Sequence, residues 1–220
     1  MIDVARSDPY DWWSRNTWAL RGLYGFVFLG RGRTFRRRSV AALDLSAGDR
    51  VLELGCGPGN SFERLRSAVG TEGCVVGVDY SRGMTRRARE RVAAAGGENV
   101  PVVRGDATAP GIAGGSFDAA YAAMSLSAMP DPEAAVEAAA ASLRPGGRVA
   151  VLDARPFQRA PLSALNPVAK PVFGWLTDWR PAVDVPGAID AAFERSTVRD
   201  HHFGSIYVAS GVGPRASGPG

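Results

Sequence analysis

A length of 220 residues with 45% hydrophobic residues allows one sizeable domain with a packed core. The apolar runs fall short of the roughly 20 residues that cross a bilayer, and Asp3 and Asp8 do not fit a secretory signal, so we expect a cytoplasmic protein. The formal net charge of +4 comes from arginines spread along the chain, a distribution that does not indicate a nucleic-acid partner.

Residues 1–44 combine aromatic side chains with a run of arginines, and we expect them to form a helical cap. The aromatic residues are Trp12, Trp13, Trp18, Tyr24, Phe26 and Phe28, and the arginines are Arg31, Arg33, Arg36, Arg37 and Arg38. Two interpretations remain open. The segment could be an amphipathic helix pair with a solvated basic face, or it could make peripheral contact with an anionic membrane surface.

Five short apolar segments alternate with helical ones along the middle of the chain. The predicted strands cover residues 50–55, 73–79, 100–106, 116–124 and 147–154. Ser81 is expected to cap the helix after the second strand, and Asp131, followed by a proline, the helix after the fourth. This alternation predicts an α/β fold in which helices cover both faces of a parallel sheet.

The end of the chain departs from the alternation. The segments STVRDHHF and SIYVASGV are separated by a short turn around Gly204, which predicts an antiparallel hairpin. His201 and His202 would then lie in its first strand and face opposite sides of the sheet. They have no cysteine or carboxylate partners at ligand spacing, so no metal site is expected. Residues 213–220 are expected to be a disordered tail.

The stretch VLELGCGPGN, residues 51–60, places glycines at 55, 57 and 59 just after the first predicted strand. Glycines between a strand and a helix let the backbone approach a nucleotide-like ligand closely. The spacing lacks the third glycine of G-x-G-x-x-G, which disfavours a dinucleotide. Glu53 precedes the loop, and Asp79 ends the second strand, where an acid can accept hydrogen bonds from ribose hydroxyls.

Together, VLELGCGPGN, VVGVDYS and VVRGDAT resemble the three cofactor motifs of class I S-adenosylmethionine-dependent methyltransferases. The resemblance is strong over about residues 45–155. It implies a Rossmann-like sheet of seven strands in the order 3-2-1-4-5-7-6, with strand 7 antiparallel. It also implies a methyltransferase domain over residues 45–212 with a lid insertion at 155–190, S-adenosyl-L-methionine as cofactor and S-adenosyl-L-homocysteine as product.

The same resemblance assigns roles to individual residues. Gly55 and Gly57 would approach the methionine part of the cofactor, Glu53 would order the loop and its ammonium contacts, and Asp79 would hold the ribose hydroxyls. The other positions expected at the cofactor are Cys56, Gly59, Tyr80 beside the adenine, Met84, Asp106 at the adenine amino group, Ala107 through its backbone N–H, and Ser125. From the residues alone, Cys56 and Cys74 are interpreted as reduced structural thiols.

Methyl transfer from a sulfonium is an in-line displacement, which mainly requires alignment and exclusion of water. Where the acceptor needs a base, the candidates are Asp153 at the end of strand five, His202 and Tyr10. The YD pair that contains Tyr10 resembles a segment over the cofactor in quinone-biosynthesis methyltransferases. A strand histidine is more often structural than catalytic, although its pKa suits proton transfer.

The acceptor is expected to be small and apolar or lipid-like. The insertion after strand five contains Phe157, Leu162, Leu165, Phe173, Trp175 and Trp179, which could line an apolar pocket or serve as packing or as a dimer interface. The segment MSLSAMPD lacks the N/D-P-P-Y/F tetrad of amino-methylating enzymes. These features resemble ubiquinone/menaquinone and phospholipid methyltransferases. The alternatives are an RNA or protein methyltransferase, an NAD-binding oxidoreductase and a non-catalytic cofactor-binding module.

Overall fold

A seven-stranded sheet organises the chain in a computed structural model that describes residues 9–215. The strands are β1 (Arg50–Leu54), β2 (Cys74–Asp79), β3 (Val102–Arg104), β4 (Phe117–Ala123), β5 (Leu143–Ala154), β6 (Phe193–His201) and β7 (Ile206–Pro214). Their order is 3-2-1-4-5-7-6, and β7 pairs antiparallel with both β5 and β6. The predicted strand order and the terminal hairpin are therefore confirmed.

Eight α-helices accompany the sheet within the described residues. They are α1 (Pro9–Arg15), α2 (Thr17–Val27), α3 (Gly32–Ala41), α4 (Phe62–Val69), α5 (Arg82–Ala94), α6 (Pro132–Ser142), α7 (Asn166–Thr177) and α8 (Val185–Ala192). Both predicted caps are present. The Ser81 hydroxyl accepts a hydrogen bond from the Met84 N–H at 3.3 Å, and the Asp131 carboxylate accepts one from the Ala134 N–H at 2.9 Å. Each cap satisfies a first-turn donor that has no partner inside its helix.

Alternate residues of β1 enter two separate hydrophobic cores, as a strand covered on both faces requires. Leu52 and Leu54 pack in the core that includes residues of α6 and α8. Val51 packs in the other core with residues of α3, α4 and α5. The sheet is thus held from both sides, which fixes the ends of its parallel strands as a rigid base for loops.

Three expected boundaries differ from the structure. The lid insertion was expected to reach residue 190, but α8 places Val185 and Ile189 fully in the core, so its helix is part of the domain. His202 was expected in a strand but begins the 3-10 turn after β6. Strand β7 continues to Pro214, inside the expected disordered tail, whose residues 216–220 lie outside the described part.

The described residues contain no helix long and apolar enough to span a membrane.

Candidate functional site

The loop after β1 turns sharply at Gly55, and its geometry shows why glycine is needed there. Gly55 has φ +63°, and a Cβ on it would lie 2.5 Å from the Cβ of Ser125. Ser125 follows β4 and donates a hydrogen bond to the Leu54 carbonyl at 2.9 Å. Gly55 therefore makes room for the neighbouring loop. The expected approach of its backbone to the methionine part of the cofactor remains a prediction.

Gly57 is the glycine of this loop that faces open space. It has φ +53°, and a Cβ on it would meet no atom within 4 Å. Its N–H donates to the Asp79 carboxylate at 2.8 Å, and the Ser81 N–H donates to the other oxygen of the same carboxylate at 2.9 Å. Asp79 thus joins the end of β2 to the glycine loop and to the start of α5.

Two other residues of the loop, Gly59 and Cys56, pack against the hydrophobic core beneath the loop. A Cβ on Gly59 would lie 2.6 Å from the Phe62 ring, so this glycine permits close packing. The Cys56 thiol is buried in the core on the α4 side of the sheet, and burial raises its pKa well above the ordinary value. Any contribution of Cys56 to a ligand would therefore come from its backbone, and the structural interpretation of this thiol fits its position.

Glu53 lies under the loop as a buried acid. Burial raises the pKa of this carboxyl to about 8, while a hydrogen bond from Ser61 and the Arg36 guanidinium act in the opposite direction. Its Oε2 atom is buried and has no hydrogen-bond partner among the described residues. A buried oxygen of this kind is costly unless a ligand supplies a donor, so Glu53 is suited to a cation.

The residues expected at the adenine end differ in exposure. Tyr80 follows β2 and is 54% exposed, and Ala107 is buried beside the end of β3. The exposed Asp106 accepts hydrogen bonds from the Thr108 N–H and hydroxyl at 2.9 and 2.8 Å through one oxygen. Met84 is buried in a small cluster with Trp13 and Leu20, which joins α1 and α2 to α5. These helices therefore lie over the start of α5.

Asp153 was expected to enter the crevice at the end of β5, and this expectation is wrong. The side chain is fully buried, and it accepts hydrogen bonds from the Ser127 N–H at 2.9 Å, the Ser127 hydroxyl at 2.6 Å and the Ala154 N–H at 2.8 Å. Burial raises the pKa of Asp153, whereas these donors oppose the rise. The carboxyl joins the segment after β4 to β5 and is a positioning group.

Asp153→Ala is expected to lower the free energy of unfolding by about 3 kcal/mol, because three buried donors lose their acceptor. Urea unfolding at pH 7 measures the change. Ser127→Ala removes a single donor and is the matched control, with an expected loss of about 1 kcal/mol. Equal losses in the two variants would show that Asp153 does not organise the segment.

Of the other two base candidates, the structure places His202 differently from the expectation. His201 and His202 do not face opposite sides of the sheet, because the rings of both contact Phe35 of α3, with centroids 4.9 and 5.0 Å from its ring. The side chain of Tyr10 lies outside the described residues. General-base roles for His202 and Tyr10 remain predictions.

Tyr24 and Arg36 are residues near the loop that the sequence interpretation did not assign to the site. The Arg36 guanidinium lies over the rings of Tyr24 and Phe28, 5.7 and 5.8 Å from their centres, and its buried Nε has no partner among the described residues. Burial raises the pKa of Tyr24. The charge of Arg36 lowers this pKa, and the charges of Asp153 and Asp79 raise it further. Arg36 therefore belongs to the crevice and not to the solvated face of α3.

The aromatic and aliphatic residues of the insertion after β5 differ in their packing and exposure. Phe173 and Trp179 pack edge to face at 6.3 Å, and the Trp179 indole N–H donates to the Ala154 carbonyl at 3.1 Å. Leu165 and Trp175, in contrast, are exposed by 53% and 83%. The aromatic residues of this segment therefore divide between packing on the end of β5 and an outer surface.

These features fit the cofactor that the motifs imply. The buried Glu53 Oε2 lacks a donor that the ammonium of S-adenosyl-L-methionine would supply, and Arg36 offers an N–H to a carboxylate. The open space above Gly57 admits a ligand against the backbone. Asp79 would hold the ribose, while Tyr80, Asp106 and Ala107 would adjoin the adenine.

Comparison with known proteins points to the same chemistry. Residues 51–147 match the model of a methyltransferase domain. A phosphatidylethanolamine N-methyltransferase from Cereibacter sphaeroides is 32% identical over 170 residues, which cover 76% of this chain and 80% of that protein. A demethylmenaquinone methyltransferase from Shouchella clausii is 31% identical over 127 residues, covering 58% of this chain and 54% of the relative.

The extent of these matches varies, and the chain spans about half the length of most curated relatives it matches. Among solved structures, an S-adenosylmethionine-dependent methyltransferase from Aquifex aeolicus superposes with a TM-score of 0.60. The two are 20% identical, and the superposition covers 80% of this chain and 88% of the other. This likeness establishes the fold.

Proposed function

The chain belongs to the class I S-adenosylmethionine-dependent methyltransferases, and from this premise we propose that it methylates a lipid-like acceptor presented at a membrane surface. S-adenosyl-L-methionine supplies the activated methyl group when bound. The glycine loop, Glu53 and Asp79 would hold and orient the cofactor. Transfer then depends on alignment and on keeping water out of the crevice.

The helices over the crevice are suited to excluding water. Trp13 and Leu20 from α1 and α2 pack on Met84, and the Trp13 indole N–H donates to the Leu176 carbonyl of α7 at 3.0 Å. This contact joins the cap to the insertion, so that two segments far apart in sequence form one cover. An acceptor must reach the methyl group through or beside this cover.

The observation that carries the lipid-like acceptor is the apolar face of α7 and the residue before it. Leu165, Val168, Val172 and Trp175 recur at spacings of three and four, which places them on one side of a helix. All four are exposed, from 46% for Val172 to 83% for Trp175. A helix whose exposed side is apolar, close to a tryptophan-rich cap, is suited to contact with a bilayer surface.

The relatives support the same class of acceptor. Two of them are named for methylating demethylmenaquinone and phosphatidylethanolamine, one a quinone with an apolar tail and the other a phospholipid. We extend this class, and not either compound, to the present chain. Peripheral contact with the membrane is part of the proposal, because such acceptors reside in the bilayer.

Transfer of labelled methyl groups from S-adenosyl-L-methionine into a host-cell extract tests the proposal. After partition, the label is expected in the organic phase, and the Val168→Ser/Trp175→Ser variant is expected to lower it several-fold with cofactor affinity unchanged. Arg33→Gln, on an exposed face of α3, is the control. Label in RNA, protein or the small aqueous fraction would contradict a lipid-like acceptor. Absence of label together with cofactor binding would indicate a non-catalytic module.

A further inference from the structure

A basic pocket lies between α3 and the turn that joins β6 to β7. Its volume is about 230 Å³, and the residues that line it are Arg31, Thr34, Phe35, Arg38, His201 and His202. The lining thus offers two guanidinium groups, two imidazoles and one hydroxyl, with no carboxylate among them. Such a donor set is suited to an anion with several oxygens.

The two imidazoles are held in place by packing and backbone conformation. The ring of Phe35 contacts both histidines, and His202 has φ +47°, a left-handed conformation that is uncommon outside glycine. The His202 Nε2 atom is buried and has no partner among the described residues. A buried ring nitrogen without a partner costs free energy, and a bound ligand would remove that cost.

The charges around the imidazoles are mostly positive. Burial lowers the pKa of both histidines, and the next cause is Arg38 for His201 and Arg31 for His202. Arg199 also lowers the His201 pKa, and Asp200 raises it, but the Asp200 carboxylate is already paired with Arg155. Within residues 9–215, neither Arg31 nor Arg38 forms an ion pair. The pocket therefore holds positive charge that the fold leaves uncompensated.

We propose that this pocket is a phosphate-binding site that accepts a phosphoryl group from a lipid headgroup or a small phosphorylated molecule. Arg31 and Arg38 would each donate N–H groups in the planar arrangement that matches phosphate oxygens. The Thr34 hydroxyl and the imidazoles complete the donors. Arg31 is the N-cap residue of α3 and Thr34 lies in the first turn of this helix, where the helix dipole favours an anion.

None of the residues that line the pocket is among those assigned to the cofactor, and of the three base candidates only His202 lines it. The charged groups that act on the histidines are Arg31, Arg38, Arg199 and Asp200. In the crevice, Asp79 acts on Tyr24, Cys56 and Glu53, and Glu53 acts on Cys56. Phosphate binding therefore does not depend on the proposed methyl acceptor, and either proposal can fail without the other.

The chain contains only two histidines, and both line the pocket. Imidazole NMR signals of the full-length protein therefore report on this site alone. Titration with inorganic phosphate, against chloride at equal ionic strength, is expected to raise the pKa of the histidines by about one unit, because an opposite charge favours the imidazolium. Imidazole signals that respond equally to chloride and phosphate, or to neither, would overturn the proposal.

Substitution of single arginines in α3 and at its N-cap separates the effect of the pocket from a general effect of charge. Arg31→Gln and Arg38→Gln are each expected to weaken phosphate binding about tenfold, the effect of one charge-assisted hydrogen bond. Arg33→Gln removes an exposed charge of the same helix that does not line the pocket, and it is expected to leave the affinity unchanged. An equal loss in all three variants would show a general charge effect and would refute a built site.

Vesicles distinguish the two sources of the phosphoryl group. Phosphatidylcholine vesicles with and without phosphatidylglycerol are sedimented with the wild type and with the Arg31→Gln/Arg38→Gln variant. If the phosphatidylglycerol-dependent binding falls in the variant, the site accepts a lipid headgroup. If it does not fall while the NMR response to phosphate is lost, the site accepts a small phosphorylated molecule. If the variant loses neither response, the proposal is wrong.

Discussion

Replacement of Asp79 by alanine is expected to weaken the binding of S-adenosyl-L-methionine at least tenfold. The carboxylate accepts hydrogen bonds from the Gly57 and Ser81 N–H groups at 2.8 and 2.9 Å, so its loss would release the glycine loop as well as remove the proposed contact with the ribose. A factor of ten corresponds to about 1.4 kcal/mol, and a charge-assisted hydrogen bond contributes about 1.5–3 kcal/mol. Isothermal titration calorimetry with S-adenosyl-L-homocysteine measures the change.

Asp131→Ala is the control for nonspecific destabilisation. It also removes an aspartate that accepts a backbone N–H at 2.9 Å, but at the start of α6 and away from the glycine loop. We expect a loss of about 1 kcal/mol in the free energy of unfolding and unchanged cofactor affinity. Equal cofactor binding by the wild type and the Asp79 variant would show that Asp79 does not hold the cofactor.

Most of the fold was predictable because its signals are local. The capping residues Ser81 and Asp131 determine where two helices begin, and both act over three or four residues of chain. The short apolar segments before Gly55 and at 73–79 are likewise visible in the sequence. The order of the strands came from the resemblance, because pairing between distant strands depends on contacts that periodicity does not encode.

The functions of individual side chains were less predictable, since they depend on residues far apart in sequence. Glycine is needed at position 55 because Ser125, seventy positions away, leaves no room for a Cβ. The Asp153 carboxylate, at the end of β5, accepts a hydrogen bond from Ser127, which follows β4. Arg36 looked like one arginine in a solvated cluster. Its position next to Phe35 and one turn before Val40, both on the buried side of α3, was the signal that it faces inward.

Glu53→Gln is expected to remove a pH dependence from both stability and cofactor binding. Burial raises the pKa of Glu53 to about 8 from an ordinary value of 4.5, so the folded protein keeps a proton that the unfolded chain releases. The stabilising effect of that proton is complete below pH 4.5 and is lost as the pH rises through 8. Between these values, stability falls by as much as about 1.4 kcal/mol per pH unit.

Glutamine in place of Glu53 has no proton to lose, so the free energy of unfolding of the variant should vary less between pH 5 and 8. At pH 8 the variant is expected to be more stable than the wild type by about 2 kcal/mol or more. Urea unfolding across this range measures the difference. Glu63→Gln, an exposed neighbour in α4, is the control and should retain the wild-type pH dependence.

The affinity for the cofactor is expected to depend on pH in the opposite sense to the stability of the fold. An ammonium beside Glu53 favours the carboxylate, so binding below pH 8 should release a proton, and affinity should increase with pH. The glutamine variant should bind more weakly at pH 8, with an affinity that no longer varies with pH. Calorimetry in buffers of different ionisation enthalpy counts the released proton. Equal proton release by both proteins would show that Glu53 does not receive the cation, and the buried acid would then be a structural feature of the loop.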